Sequence, residues 1–280
     1  MKEALRLELR RLFSSKDLYI ALAIGLALVV WLFVYEVSES VRFAEQYATY
    51  GDKVSGYLYY PKTVFNSSIE LEYDALPPIL LYLLFPIIAA FPYAATYCKD
   101  KKSGYLKNLI VRIDRKDCYL AKYIVSFLSG FFVSGVILLS SLMLTMLVFP
   151  MLTPEAVTQN YYVQSGNMWG ELFYSQPMIY TLLYILIDML WCGCMASFAL
   201  LLSTFTRSAF LAVTGGFIVF EVIDYVLSLF SLSQFSPITF LRPIQTCGGI
   251  NIWIIITEFL VLMAASFTGF YFLERKKDVF

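Results

Sequence analysis

The sequence predicts an all-α integral membrane protein, with a short N-terminal helix along the membrane interface and six transmembrane helices after it. Three observations carry that prediction. The composition is 59% hydrophobic, 18% aromatic and only 15% charged, with mean hydropathy +0.69, whereas soluble domains are roughly a quarter charged. The apolar residues come in long blocks rather than as an alternating or scattered pattern. The basic residues gather between alternate blocks, as the positive-inside rule requires of a multi-pass chain.

Residues 1–16 come first. Met1, Leu5, Leu9 and Leu12 fall on one helical face and Glu3, Arg6, Arg10 and Arg11 on the other, the pattern of a basic amphipathic helix in the interface plane. Six apolar blocks follow, at about 18–37, 76–97, 119–151, 178–203, 209–232 and 250–273. Each is long enough for a hydrocarbon core of ~30 Å, which takes about 20 helical residues. Each is too long and too continuous for a barrel strand of ~10 alternating residues.

The connections differ in kind. Residues 38–75 and 152–177 are polar and aromatic without a strong period, and too short for a core of their own. The link at 204–208 is a tight turn whose one charge is Arg207. Before the last block, Pro237, Pro243 and the Gly248–Gly249 pair interrupt an otherwise apolar run. That pattern suits short broken helices covered by protein at membrane depth. With the N-terminus inside, 17 of the 21 Lys and Arg fall on the inner side, so both termini are expected to be cytoplasmic. The chain is expected to be a single transmembrane domain over residues 1–280.

Residues 98–122 stand out. Eight of them are Lys or Arg, flanked by two apolar blocks. Tyr105, Leu106, Leu109, Ile110 and Ile113 recur at helical spacing, while Lys101, Lys102, Lys107 and Arg112 point elsewhere. The segment therefore predicts a short helix parallel to the membrane, with Gly104 near its start and an apolar knob to seat in a groove. Asp114 and Asp117 suit a cap at the start of the third span.

Much chemistry is excluded. The chain has no histidine, which removes HExxH metalloproteases, Ser–His dyads and His-ligated metal or haem. Gly130 and Gly135 have the glycine spacing of a phosphate-binding loop, but Val136 and Ile137 follow where Lys and Ser/Thr are needed. No catalytic residue, metal site or bound cofactor is expected. Cys192 and Cys194, two apart in one span, read as small packing residues. Five acids lie in or beside the spans: Glu36, Asp188, Glu221, Asp224 and Glu258. A charge at the bilayer centre costs at least ~2.5 kcal/mol. Asp188, Glu221, Asp224 and Glu258 are therefore candidates for a substrate pathway, and Glu36 is interfacial.

The run Lys102-Ser103-Gly104-Tyr105-Leu106, then Arg115 and the Ala121-Lys122 pair, resembles the first cytoplasmic loop of ABC-2 type permeases. Asp100 stands for that family's acid, Gly104 for its glycine, Arg115 for its arginine and Lys122 for its lysine, with Tyr105 where threonine is usual. The layout of interfacial helix, six spans and broken outer stretch is similar too. The resemblance implies an ABC-2 type exporter fold and a permease half-transporter that pairs with a second permease. It also implies separate ATPase subunits that hold ATP and magnesium, in a bacterial plasma membrane. It assigns Asp100, Gly104, Tyr105, Leu106, Leu109 and Arg115 to a coupling helix seated in the ATPase, and Arg207 to a second, smaller contact. Membrane lipids are the other expected partner, and nucleic acid is not one. The aromatic-rich spans suggest a lipophilic or amphipathic substrate. The residues also leave open an ion-coupled carrier or channel using the acids, and a non-transporting immunity or sensor module.

Overall fold

The computed structural model describes residues 1–50, 62–68, 76–155, 163–164, 166–206, 208–245 and 247–276. Among the described residues there are helices and no strands. Six helices are long and apolar enough to cross a membrane: α2 (Lys16–Tyr50), α4 (Leu76–Ser103), α6 (Arg115–Val148), α8 (Pro177–Leu202), α9 (Ala209–Leu229) and α11 (Ile252–Lys276). The shorter helices are α1 (Lys2–Phe13), α3 (Val64–Ser67), α5 (Tyr105–Arg112), α7 (Gly170–Ser175) and α10 (Pro237–Phe240).

Most of the boundaries follow the apolar blocks, and two differences are physical. The first block was expected to end near residue 37, yet α2 continues to Tyr50. Helix-forming residues such as Glu39, Ala44 and Glu45, with no Gly or Pro from residue 38 to residue 50, sustain it. An Arg42–Glu39 pair at 2.7 Å one turn apart adds to this. Residues 41–46 are exposed, so they show no amphipathic period to read. The basic segment is likewise helical almost throughout, because α4 runs on to Ser103 and α6 begins at Arg115.

The bundle is built around α8. Of its apolar stretch 67% is buried, against 11% for α11. It packs on α4, α6, α9 and α11, while α2 lies against α4 and α6. Lipid tails are as apolar as leucine, so burial alone does not drive such helices together. Close packing and hydrogen bonds between small residues do. The α6–α8 crossing is made that way. A Cβ on Gly130 would lie inside contact distance of the Cys192 carbonyl oxygen, and one on Gly193 would collide with the Phe127 ring. Beside them the Ser126 hydroxyl donates to the Ala196 carbonyl at 2.9 Å. Gly130 and Gly135, spaced like a phosphate loop, are helix-packing glycines, the second lying under Met189.

At the end of the bundle holding α3, α7 and α10, an aromatic core closes over α8. Tyr180 and Tyr184 ring centroids are 4.7 Å apart, and Trp191 meets Phe240 edge-on at 5.1 Å. Gln245 fastens the broken segment there. Its Oε1 accepts from the Met168 backbone N–H and its Nε2 donates to the Tyr184 hydroxyl, both at 2.8 Å. The expected short broken helices are a 3-10 turn at Ser233–Phe235 and α10, whose Phe240 is fully buried.

Gly130→Ala is expected to destabilise the protein by about 1–3 kcal/mol through overpacking against backbone, read by SDS-titrated unfolding in mixed micelles. Gly215→Ala, where a Cβ meets only a leucine methyl at 3.5 Å, is expected to be neutral or slightly stabilising.

Candidate functional site

At the opposite end, the basic segment, the N-terminal helix and three long helices meet in a network of charges. Lys122, about two turns into α6, is completely buried. Its Nζ donates to Glu8 Oε1 at 2.8 Å and to Asp100 Oδ2 at 2.9 Å. Arg11 closes the ring, with Nη1 on Asp100 Oδ2 at 3.0 Å and Nη2 on Oδ1 at 2.5 Å. It also approaches Glu8 at 3.3 Å. The Tyr93 hydroxyl donates to Glu8 Oε2 at 3.0 Å. Two acids and two bases, from α1, α4 and α6, thus neutralise one another, with Glu8, Asp100 and Lys122 buried and Arg11 partly exposed.

The energetics follow from burial. Removing two charges from water costs several kcal/mol per ion, and attraction offsets this only when the remaining lone pairs and protons are also satisfied. Here Glu8 has three donors and Asp100 has a forked guanidinium plus an ammonium. Burial works against Arg11's charge, but the hydrogen bond and charge of Asp100, aided by Glu8, outweigh it. They hold the guanidinium's pKa above its ordinary value. The Arg11 guanidinium also lies 4.3 Å from the Tyr105 ring centre, joining α1 to α5.

The same end carries further ties. Lys101 Nζ donates to the carbonyls of Ser203 and Thr204, both at 2.9 Å. It satisfies acceptors at the C-terminal end of α8, where a cation is also favoured by the helix dipole. Arg115 Nη2 donates to the Glu274 carbonyl at 2.6 Å, binding the start of α6 to the end of α11. Asp114 caps α6, accepting from the Lys116 N–H at 3.2 Å. The Lys99–Asp17 pair at 2.7 Å involves a largely exposed lysine and contributes little.

The α5 helix is entered through Gly104, which has φ +70°. A Cβ there would meet open space, so the constraint is the left-handed backbone alone, disfavoured by ~1–2 kcal/mol for other residues. Leu106 and Leu109, expected as the knob offered to a partner, turn onto the chain's own bundle and are buried. Lys107, Asn108, Val111 and Arg112 form the exposed face instead. Arg207, the expected second contact, lies outside the described residues.

The four intramembrane acids separate. Asp188 from α8 and Glu221 from α9 line one cavity of about 70 Å³, together with Arg242 from the segment after α10. Asp224 does not line the cavity. It accepts from the Ser236 hydroxyl, in the turn before α10. Glu258 is half-buried on α11 and also stands apart from the cavity. Glu36 is paired with Lys62 at 3.0 Å.

Two residues of the charge network escape sequence reasoning. The buried face of α1 is Ala4, Glu8 and Leu12, whereas Leu5 and Leu9 are only partly buried. Arg11, read as part of the solvent face, turns inward. The available signal was an acid at i+4 from a small residue and i−4 from a leucine, with an unmatched lysine waiting in the third span.

No family model, curated protein or solved structure matches this chain.

Lys122→Met is expected to cost about 3–5 kcal/mol, because it leaves buried acid in excess. Adding Glu8→Gln is expected to recover part of that loss in the same unfolding assay. Simple addition of the two losses would mean the four groups do not act as a unit.

Proposed function

We propose that this chain is the permease subunit of an ATP-driven ABC exporter, working with a second permease copy and separate ATPase subunits. The observation that carries the reading is the charge network. It joins the glycine-hinged helix α5 to α1, α4 and α6 in one rigid contact, and Lys101 extends that contact to the end of α8. A device for delivering outside force to a membrane bundle needs this arrangement: a short exposed helix whose displacement cannot be absorbed locally.

In this account both termini and α5 face the cytoplasm of a bacterial cell. The ATPase grips the exposed face of α5 through Lys107, Val111 and Arg112. Leu106 and Leu109 act on the inner side, keeping the helix seated on the bundle. Closure of the ATPase pair displaces α5, and Asp100 passes the motion to Lys122, Glu8 and Arg11. The amphipathic α1 and the ends of α4 and α6 then move together. The substrate is lipophilic or amphipathic, and the cavity holding Asp188 and Glu221 lies on its path.

The test is copurification of the tagged chain from its native membrane. A bound ATPase with a GxxxxGK[ST] loop is expected. Val111→Asp, at a site 73% exposed, is expected to cut its recovery about tenfold without changing unfolding. Absence of any ATPase, with flux driven by an ion gradient alone, would contradict the reading and favour a secondary carrier.

A further inference from the structure

The outer face of α1 is a shallow groove with a basic rim. Ala4, Glu8 and Leu12 form the buried face of this helix, and helical spacing puts Lys2, Arg6 and Arg10 on the opposite side. All three bases are exposed, and they border a groove floored by Leu5, Leu9 and Phe13. No acid lines that groove. Arg11, Lys99 and Lys122 at this end of the bundle are paired with acids. Among the described residues, Lys2, Arg6 and Arg10 make no ion pair. Glu3 lies in the neighbouring groove, across Arg6 and Arg10, so three bases on the outer face stand against one acid.

The floor of the groove continues onto the bundle. Phe13 meets Phe132 of α6 edge-on, with ring centres 5.4 Å apart, and both rings are exposed. The Tyr19 hydroxyl donates to the Phe13 carbonyl at 2.9 Å, fixing the start of α2 beside them. Beyond Phe132, Leu139, Met143 and Leu147 are exposed on the same face of α6. At 1.5 Å per residue this apolar stripe rises roughly 22 Å, more than one leaflet of a hydrocarbon core of ~30 Å. Since α6 is long and apolar enough to cross a membrane, the stripe faces acyl chains.

The groove thus presents unneutralised cations at its rim and an unbroken apolar track leading away from them. Guanidinium groups pair their N–H donors with phosphate oxygens, while their stems lie along apolar surface. Each such base near an anionic leaflet strengthens binding about fivefold. A zwitterionic lipid brings its own cation and gains less from the rim. A soluble phosphate would leave the floor uncovered.

We propose that this groove binds one anionic phospholipid of the surrounding leaflet. Arg6 and Arg10 hold its phosphate, and one acyl chain lies over Leu9, Phe13 and Phe132 onto the α6 stripe. Glu8 and Arg11 sit on the same helix, so the lipid favours the docked α1 by mass action. The binding goes beyond the export reading and does not depend on it.

The test uses the full chain in a neutral maltoside micelle, with native mass spectrometry counting bound dioleoylphosphatidylglycerol against dioleoylphosphatidylcholine. One phosphatidylglycerol is expected to bind at least about tenfold more tightly than phosphatidylcholine. Arg6→Gln/Arg10→Gln is expected to remove that preference without changing unfolding. Lys102→Gln/Lys116→Gln takes the same charge from exposed sites outside the groove and is expected to leave the preference intact. Equal affinity of the unaltered chain for the two lipids would overturn the proposal without any variant having to fold. Equal losses from both double variants would show diffuse attraction rather than a site, and would overturn it too. So would glycerol 3-phosphate displacing the lipid at equal concentration, which would make the ligand a soluble phosphate. Lipid-free dimers that disappear in Arg6→Gln/Arg10→Gln would give the face to a second copy instead. None of these outcomes bears on recovery of an ATPase, so this site and the export reading can fail separately.

Discussion

A fully buried lysine must be neutralised where it sits, and Lys122 imposes that requirement on one whole end of the protein. Its ammonium needs acids within hydrogen-bond reach, and Asp100 and Glu8 supply them from two other helices. Two acids against one base would leave an excess negative charge, so Arg11 comes in from α1. The amphipathic helix is therefore docked by charge balance as much as by its apolar stripe. This explains how a twelve-residue helix is held against a bundle that lipid would otherwise cover.

The rest of the architecture gives that contact something stiff to act on. The α6–α8 crossing is close enough that Gly130 and Gly193 cannot carry a side chain. Lys122 at one end of α6 is thus connected through that crossing to α8, which bears Asp188 in the cavity. The chain combines a tightly packed pair at its centre with an outer helix, α11, that buries little of itself. In the proposed account the rigid parts transmit force and the loosely packed parts are free to rearrange.

Much of the fold was legible in the sequence, because the membrane makes length and apolarity decisive. All six long helices fall on the apolar blocks, and α5, its entry at Gly104 and the Asp114 cap were visible from spacing. What failed were inferences about direction. Spacing places Leu106 and Leu109 on one face of α5 but says nothing of whether that face meets a partner or the chain's own bundle. Periodicity also treats an acid as a solvent-facing residue, so Glu8 was passed over until Lys122 gave it a reason to be buried. Arg242 was hidden for a related cause: a broken segment has no period from which to infer what its side chains reach. The overrun of α2 to Tyr50 rests on helix propensity alone, which leaves no hydrophobic pattern.

The central claim is that the charge network joins α1, α4 and α6 into one mechanical unit, to which α5 is tied through Arg11 and the Tyr105 ring. Hydrogen–deuterium exchange of the Asp100→Asn variant tests it most directly, since Asp100 touches Arg11 and Lys122 while lying just before the hinge at Gly104. The account predicts that amides of α1 and α5 lose protection together, with those at the α6–α8 crossing unchanged. Loosening confined to the end of α4, with α1 as protected as before, would contradict it.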